Sequence, residues 1–188
     1  MTRNGTLSWD WYGGVIPHNV ELGPSAYIET SYSFYLYRSE IPVGLRLGRG
    51  ASAYGGTMFD IGPQGRVRLG DYTLVHGAWI TCDSEVEIGD FTLISWNVVM
   101  MDSYRASRDP IERRRLLEGR PCAPPLPKRI VIGSNVWIGF EVCVLPGVMI
   151  GDGAIVGARS VLVENVPAYS LVAGNPARVI RTLEGTQR

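Results

Sequence analysis

The sequence predicts an all-β fold: a solenoid of short parallel strands wound into a triangular prism. The first observation behind this is a repeat of six over residues 130–167. Ile132-Gly133-Ser134-Asn135-Val136-Trp137 is followed by Ile138-Gly139-Phe140-Glu141-Val142-Cys143 and Val144-Leu145-Pro146-Gly147-Val148-Met149. Ile150-Gly151-Asp152-Gly153-Ala154-Ile155 and Val156-Gly157-Ala158-Arg159-Ser160-Val161 continue it. An aliphatic residue opens each hexad, Gly is second in four of the five, and a small or β-branched residue is fifth. A short fixed period marks a solenoid. Six residues fit one strand plus a turn, so three hexads close a coil of about 18 residues, with the opening aliphatic side chain directed inward. The second observation is the recurring Gly, which suits a corner where a Cβ would clash or where φ is positive. The third is negative: the i, i+3, i+4, i+7 spacing of an amphipathic helix is absent.

In chain order, residues 1–15 carry Trp9, Trp11 and Tyr12 among polar and Gly residues and read as a cap over the open end of the prism. Coils are expected over 16–101 and 130–167. Ile16-Pro17-His18-Asn19-Val20-Glu21 and Leu22-Gly23-Pro24-Ser25-Ala26-Tyr27 open the first. The pattern then lapses where Tyr32, Phe34, Tyr35 and Tyr37 crowd together, a cluster suited either to a pocket wall or to a subunit contact. Hexads resume at Leu47 and run through Leu69, Val75, Ile88 and Ile94, with a longer side near Gly62-Pro63-Gln64-Gly65. Residues 102–129 form an inserted loop, with a short helical stretch over 111–118, the triplet Arg113-Arg114-Arg115, and Pro121, Pro124, Pro125 and Pro127 to stiffen it. A loop this long in a compact repeat is expected to have a function. The triplet suits a solvated helix face or, less readily, contact with an anionic substrate. The tail, 168–188, is expected to hold a short helix from about Pro176 to Leu183.

The whole chain, 1–188, reads as one domain large enough for a substantial core. Its formal net charge is zero, which gives no reason to expect nucleic acid or an acidic membrane as partner. Only one Lys, Lys128, stands beside seventeen Arg. Cys82, Cys122 and Cys143 have no framework or metal spacing, which predicts a reducing, cytoplasmic setting. No apolar signal core opens the chain and no run approaches membrane-spanning length.

The run 130–167, followed by Val166-Pro167-Ala168-Tyr169-Ser170 and Ala173-Gly174-Asn175-Pro176-Ala177-Arg178-Val179-Ile180-Arg181, resembles the hexapeptide-repeat acyltransferases. The resemblance implies a left-handed parallel β-helix, an exception to the usual handedness of parallel crossovers. It also implies a homotrimer that moves an acetyl or other acyl group from coenzyme A to a small-molecule hydroxyl or amine. In that family an external loop at the position of 102–129 reaches over the cleft between subunits. A His in the segment here reading Met101 to Pro110 serves as general base, and backbone N–H groups hold the oxyanion.

Against that pattern the chain departs at three places. The catalytic His position falls on Ala106 or, in the other register, on Arg105, and neither is a base at neutral pH. Phe140 follows Trp137-Ile138-Gly139 where the family has Ala or Ser, putting bulk in the coenzyme slot. Glu164 replaces a Lys near the coenzyme phosphates. The coenzyme-binding candidates carried over are Trp137, Gly139, Phe140, Ala158, Arg178 and Arg181. Only two His exist. His18 reads as a solvated corner. His76 falls where sugar acetyltransferases of the family place an acceptor-contacting Asn, and Asp83 falls near another acceptor contact of theirs. An imidazole titrates near pH 6.5 and can act as a base with little tuning, so His76 is either the base or a corner His bonded to backbone. Asp83, Asp102 and Tyr104 are the other catalytic candidates, with Ser103, Arg105, Trp96 and Asn97 as substrate contacts. A Ser103–His76 pair would need the fold to bring the two together. The γ-type carbonic anhydrases share the fold but need three His for their metal, so no metal is expected here. The alternative to acyl transfer is a relative that does not use coenzyme A, either an enzyme with a repurposed cleft or a silent binding trimer.

Overall fold

The computed structural model describes residues 5–123 and 125–183. Residues 1–4 of the expected cap, Pro124, and residues 184–188 of the tail lie outside them. Among the described residues the strands form three sheets of six, eight and five strands, the three faces of a left-handed parallel β-helix of about seven turns. The first face runs from Val20–Leu22 through Leu45–Leu47, Arg66–Leu69, Glu85–Ile88 and Ile130–Ile132 to Met149–Ile150. The second runs from Tyr27–Ile28 through Ser52–Tyr54, Leu74–His76, Leu93–Ile94, Trp137–Ile138 and Ile155–Val156 to Ser170–Gly174. The third runs from Met58–Ile61 through Trp79–Cys82, Val99–Met101 and Cys143–Val144 to Val161–Leu162.

The hexad rule decides the interior. The opening aliphatics stack in register down each face: Leu47, Leu69, Ile88, Ile132 and Ile150 on the first, Ala53, Val75, Ile94, Ile138, Val156 and Val172 on the second. Phe59, Ile80, Met100, Val144 and Leu162 do so on the third. All are buried, and burial of apolar area at about 25 cal/mol per Å² drives the winding. The fifth-position residues Val136, Val142, Val148, Ala154 and Ser160 are buried too and fill the corners. Gly in second place is required by close approach: a Cβ on Gly139 would sit 2.7 Å from the Ala158 nitrogen of the next coil. Positive φ falls instead on the fourth residue of the hexad, at Phe91, Asn135, Glu141 and Arg159.

Outward rows differ between faces. On the first face, Arg46 pairs with Glu21 at 2.6 Å and Arg68 with Glu87 at 3.7 Å. The second face presents Leu74, Leu93, Trp137 and Ile155 in register, and the third presents Trp79, Val99, Cys143 and Val161.

Asp10 ties the N-terminal segment to the prism. Its carboxylate accepts from Thr30 Oγ1 at 2.7 Å, from the Ser31 amide at 3.0 Å and from the Ser31 hydroxyl. Burial alone would raise its pKa; the Ser31 and Thr30 hydroxyls and the Tyr12 and Ser31 amides outweigh this and hold it at about 2, below the ordinary 3.8. A depressed carboxyl contributes stability above its unfolded pKa and loses it as pH falls through the folded one. Asp10→Asn is therefore expected to flatten the fall in stability between about pH 4 and 2. Acid titration of Trp fluorescence, with Trp9 and Trp11 nearby in sequence, reads this out; an unchanged slope would show the tie is not linked to acid loss.

The tail corrects an expectation. Ala177–Thr182 is not a helix but a strand, antiparallel to Ser170–Gly174, joined through a cis Asn175–Pro176 bond. Ser170–Gly174 would otherwise end the second face with unpaired backbone groups, and a neighbouring strand satisfies them. The β-branched Val179-Ile180 favours that choice. The only α-helix among the described residues, Pro110–Leu117, lies in the inserted segment and is capped by Asp109, which accepts from the Ile111 amide at 2.8 Å. It buries no side chain.

Candidate functional site

The sequence-derived candidates fall into two groups on different corners of the prism. The first group lies along the second face and the corner beyond it. There an open groove of about 670 Å³ is lined by Leu93, Trp96, Trp137, Gly139, Phe140 and Ala158, with Phe91 and Asn135 at its far edge. The outward apolar residues of three adjacent strands make its floor. Phe140 does not fill it: the ring lies flat on Trp96, centroids 5.4 Å apart and planes 7° from parallel, with the Arg159 guanidinium 5.8 Å above its centroid. Asn97 occupies a positive-φ turn position beside Trp96. His76 ends the strand Leu74–His76, is exposed, and stands edge-on to the same Trp96 at 6.2 Å. Among the described contacts its side chain meets the Trp96 ring and no backbone hydrogen-bond partner.

Trp96 thus links the imidazole to the groove wall. In the tail, Arg178 lies 4.0 Å from Glu164, both exposed, and Arg181 stands opposite Leu171.

The second group lies where the third face turns into the first. Asp102 is fully enclosed and accepts from the backbone amides of Asp83 at 2.8 Å, Ser84 at 2.7 Å and Glu85 at 3.0 Å. Burial pushes its carboxyl above the ordinary value, and the three amides offset part of the rise. The Cys82 thiol is raised by its own burial and by the Asp102 charge. Arg105 holds Asp83 with Nε at 2.9 Å and Nη2 at 2.8 Å, and reaches Asp60 Oδ2 with Nη1 at 2.6 Å. Arg38 approaches the other Asp60 oxygen at 3.3 Å. Burial alone would weaken the Arg105 proton affinity; Asp83 and Asp60 outweigh it, and the guanidinium stays charged.

This network ties the inserted segment to two successive coils. It leaves Asp83 as a counter-ion and Asp102 as a turn anchor. Asp60 escaped the sequence reading because its link to Arg105 spans 45 positions and belongs to no motif. Tyr104 is partly exposed, with the Arg108 guanidinium 5.9 Å over its ring.

The resemblance sets the inserted segment, His76 and Asp83 near acceptor contacts at a cleft between subunits. Within one protomer His76 does not meet the other two, because a whole face lies between the corner after Leu74–His76 and the corner after Trp79–Cys82. Ser103 and His76 are separated in the same way, and none of the described residues lining the groove comes from the inserted segment. In the Arg triplet, Arg113 donates to the Ser107 and Arg108 carbonyls at 3.0 and 2.7 Å and Arg115 pairs with Glu112 at 2.6 Å, so two of the three brace the loop itself.

Comparison with known proteins agrees with this architecture. Residues 129–163 match the family described as "Bacterial transferase hexapeptide (six repeats)". Two curated relatives carry acetyltransferase in their names. Staphylococcus aureus SACOL2570 is 41% identical over 81 residues, 43% of this chain and 39% of that protein. Escherichia coli WcaF is 36% identical over 119 residues, 62% of this chain and 58% of that one. The chain therefore spans about 39–58% of the length of these relatives. Among solved structures, the hexapeptide-repeat acetyltransferase VCA0836 of Vibrio cholerae, complexed with acetyl coenzyme A, superposes with a TM-score of 0.62 at 28% identity, covering 81% of this chain and 75% of that one. Residues 129–163 are hexapeptide repeats within a left-handed parallel β-helix, a fold shared with neighbours that are named as acetyltransferases.

Proposed function

We propose that the chain is an acyltransferase that moves an acetyl or other acyl group from coenzyme A to a hydroxyl or amine of a small molecule, at the interfaces of a homotrimer. The observation that carries this reading is the open apolar groove on the second face, together with acetyl coenzyme A bound to a neighbour of the same fold. The lining fits the donor's arm: Trp137, Gly139 and Ala158 form a smooth apolar channel beside the Trp96–Phe140 wall, with Arg178 and Arg181 in the tail as partners for phosphate. The coenzyme supplies the activated acyl group. The chain's part is to orient the acceptor, exclude water, and take the acceptor's proton on the His76 imidazole.

The trimer has a physical motive. The first face neutralises its charges internally, while the second and third present apolar rows that a closed three-fold contact would bury. Such a contact would also bring the inserted segment of one protomer toward the groove of the next, joining the two groups of candidates. The alternative, a relative that does not use coenzyme A, rests on Ala106 and Glu164.

Calorimetry with acetyl coenzyme A and light scattering test the two parts separately. Micromolar binding and a trimer are expected; no binding at millimolar ligand would overturn the donor assignment, and a monomer would overturn the interface. Phe140→Ala is expected to weaken coenzyme binding roughly three- to tenfold, because it removes a stacked wall. Equal or tighter binding would show instead that the ring obstructs the slot, as its bulk alone suggests.

A further inference from the structure

A second cleft, of about 400 Å³, opens at the stem of the inserted segment, between Ser103, Tyr104 and Arg108 on one side and Pro125, Leu126 and Lys128 on the other. We propose that it holds the anionic group, a carboxylate or a phosphate, of a sugar-sized acyl acceptor. The identification of that ligand as the acceptor rests on the acyl-transfer reading above.

Charge is the first argument. Two cations and no carboxylate stand among the described residues that line the cleft. Elsewhere Arg46, Arg66, Arg68, Arg105, Arg129 and Arg159 each lie within 4.0 Å of a carboxylate. Among the described residues Lys128 and Arg108 have no such partner; Arg49, Arg113, Arg114 and Arg181 also have none, but only Lys128 and Arg108 of these line the cleft.

Placement is the second argument. The Lys128 amide donates to the Asp102 carbonyl at 2.7 Å and the Lys128 carbonyl accepts from the Gly147 amide at 3.0 Å, so its backbone is stitched to the prism on both sides. Arg108 is held by its carbonyl, which accepts from Arg113 at 2.7 Å, and by its position over the Tyr104 ring. A cation over a ring is oriented without being neutralised.

Ser103, almost fully buried, accepts from the Arg105 amide at 3.1 Å, which leaves its hydroxyl proton available to donate. Two cations, a phenol and a hydroxyl donor beside the apolar Pro125, Leu126 and Pro146 suit a ring with one charged substituent. The volume falls within the range of small-molecule sites, about 300–1,000 Å³.

Binding of glucuronate, glucose 6-phosphate and glucose, each titrated by calorimetry at two salt concentrations, tests the proposal. At least one of the two anionic sugars should bind, more weakly at high salt, and glucose at least about tenfold more weakly than that anion. Whichever binds names the carboxylate or the phosphate as the preferred group. Lys128→Met and Arg108→Gln, both exposed positions where substitution spares folding, should each cost about tenfold in that affinity and leave acetyl coenzyme A binding unaltered. Equal affinity for glucose, or no effect of either substitution in a variant that melts normally, would overturn the site. So would competition between the sugar anion and coenzyme A, which would assign the cations to the donor's phosphates. Anionic sugar binding without any coenzyme binding would support the anion site and refute the transfer reading alone.

Discussion

Replacing His76 with asparagine is expected to lower kcat for acyl transfer roughly 100-fold or more, the usual scale for loss of a general base. Asparagine keeps similar bulk and hydrogen-bonding capacity, and His76 is exposed at a strand end, so folding and assembly should not change. The structure narrows the competing bases. Asp83 is clamped by Arg105 and Asp102 is enclosed with three amides on its carboxylate. Arg105 remains protonated between two acids. The imidazole, beside the Trp96 wall of the groove, is left as the candidate base. The acidic limb of the pH–rate profile should disappear in the variant. An active variant with the wild-type profile would place the base elsewhere, with Tyr104 the first residue to examine.

Asp102→Ala should produce the largest loss of stability of any single change at the site. It strips the acceptor from three amide donors at the turn of residues 83–85. Each unsatisfied donor costs about 1–3 kcal/mol, and water reaching the emptied turn recovers part of that, so a net loss of about 3 kcal/mol is expected. At this chain length that lowers Tm by roughly 6–12 °C.

The pH dependence has a definite sign. Because burial raises the Asp102 carboxyl above its ordinary 3.8, the group contributes fully below that value and loses its contribution as pH rises through the folded one. The stability gap between wild type and variant should therefore be wider at pH 4 than at pH 7. A gap that widens with rising pH would mean the amides, not burial, set the carboxyl's behaviour. Asp10 is the contrasting case, since its hydrogen bonds win over burial and its contribution is lost on acidification.

The sequence by itself determined the prism. A hexad is a local rule: an inward aliphatic, a Gly where the next coil passes close, and a small residue at the corner are all legible within six positions. The columns Leu47 to Ile150 and Ala53 to Val172 follow from it directly. The lapse in period marked the inserted segment, and the short helix expected over 111–118 is found at Pro110–Leu117. The tail was not legible. Its strand depends on a free sheet edge, to which the β-branched Val179-Ile180 adds only a weak local preference.

The site divides in the same way. Trp137, Gly139, Phe140 and Ala158 were named through the family resemblance, and the structure sets them along one groove. What Phe140 does there was decided by Trp96, more than forty positions earlier, against which its ring turns flat. Only the tertiary structure parted His76 from Asp83, seven residues apart in the chain but on successive corners of the coil. Only it joined Asp60, Asp83 and Arg105, and set Arg108 and Lys128 across one cleft. The physical reason is that a solenoid stacks residues one coil apart, so side chains meet at separations set by the coil length and by any insertion in it. A local period decides which way a side chain points, and the stacking of coils decides what it meets.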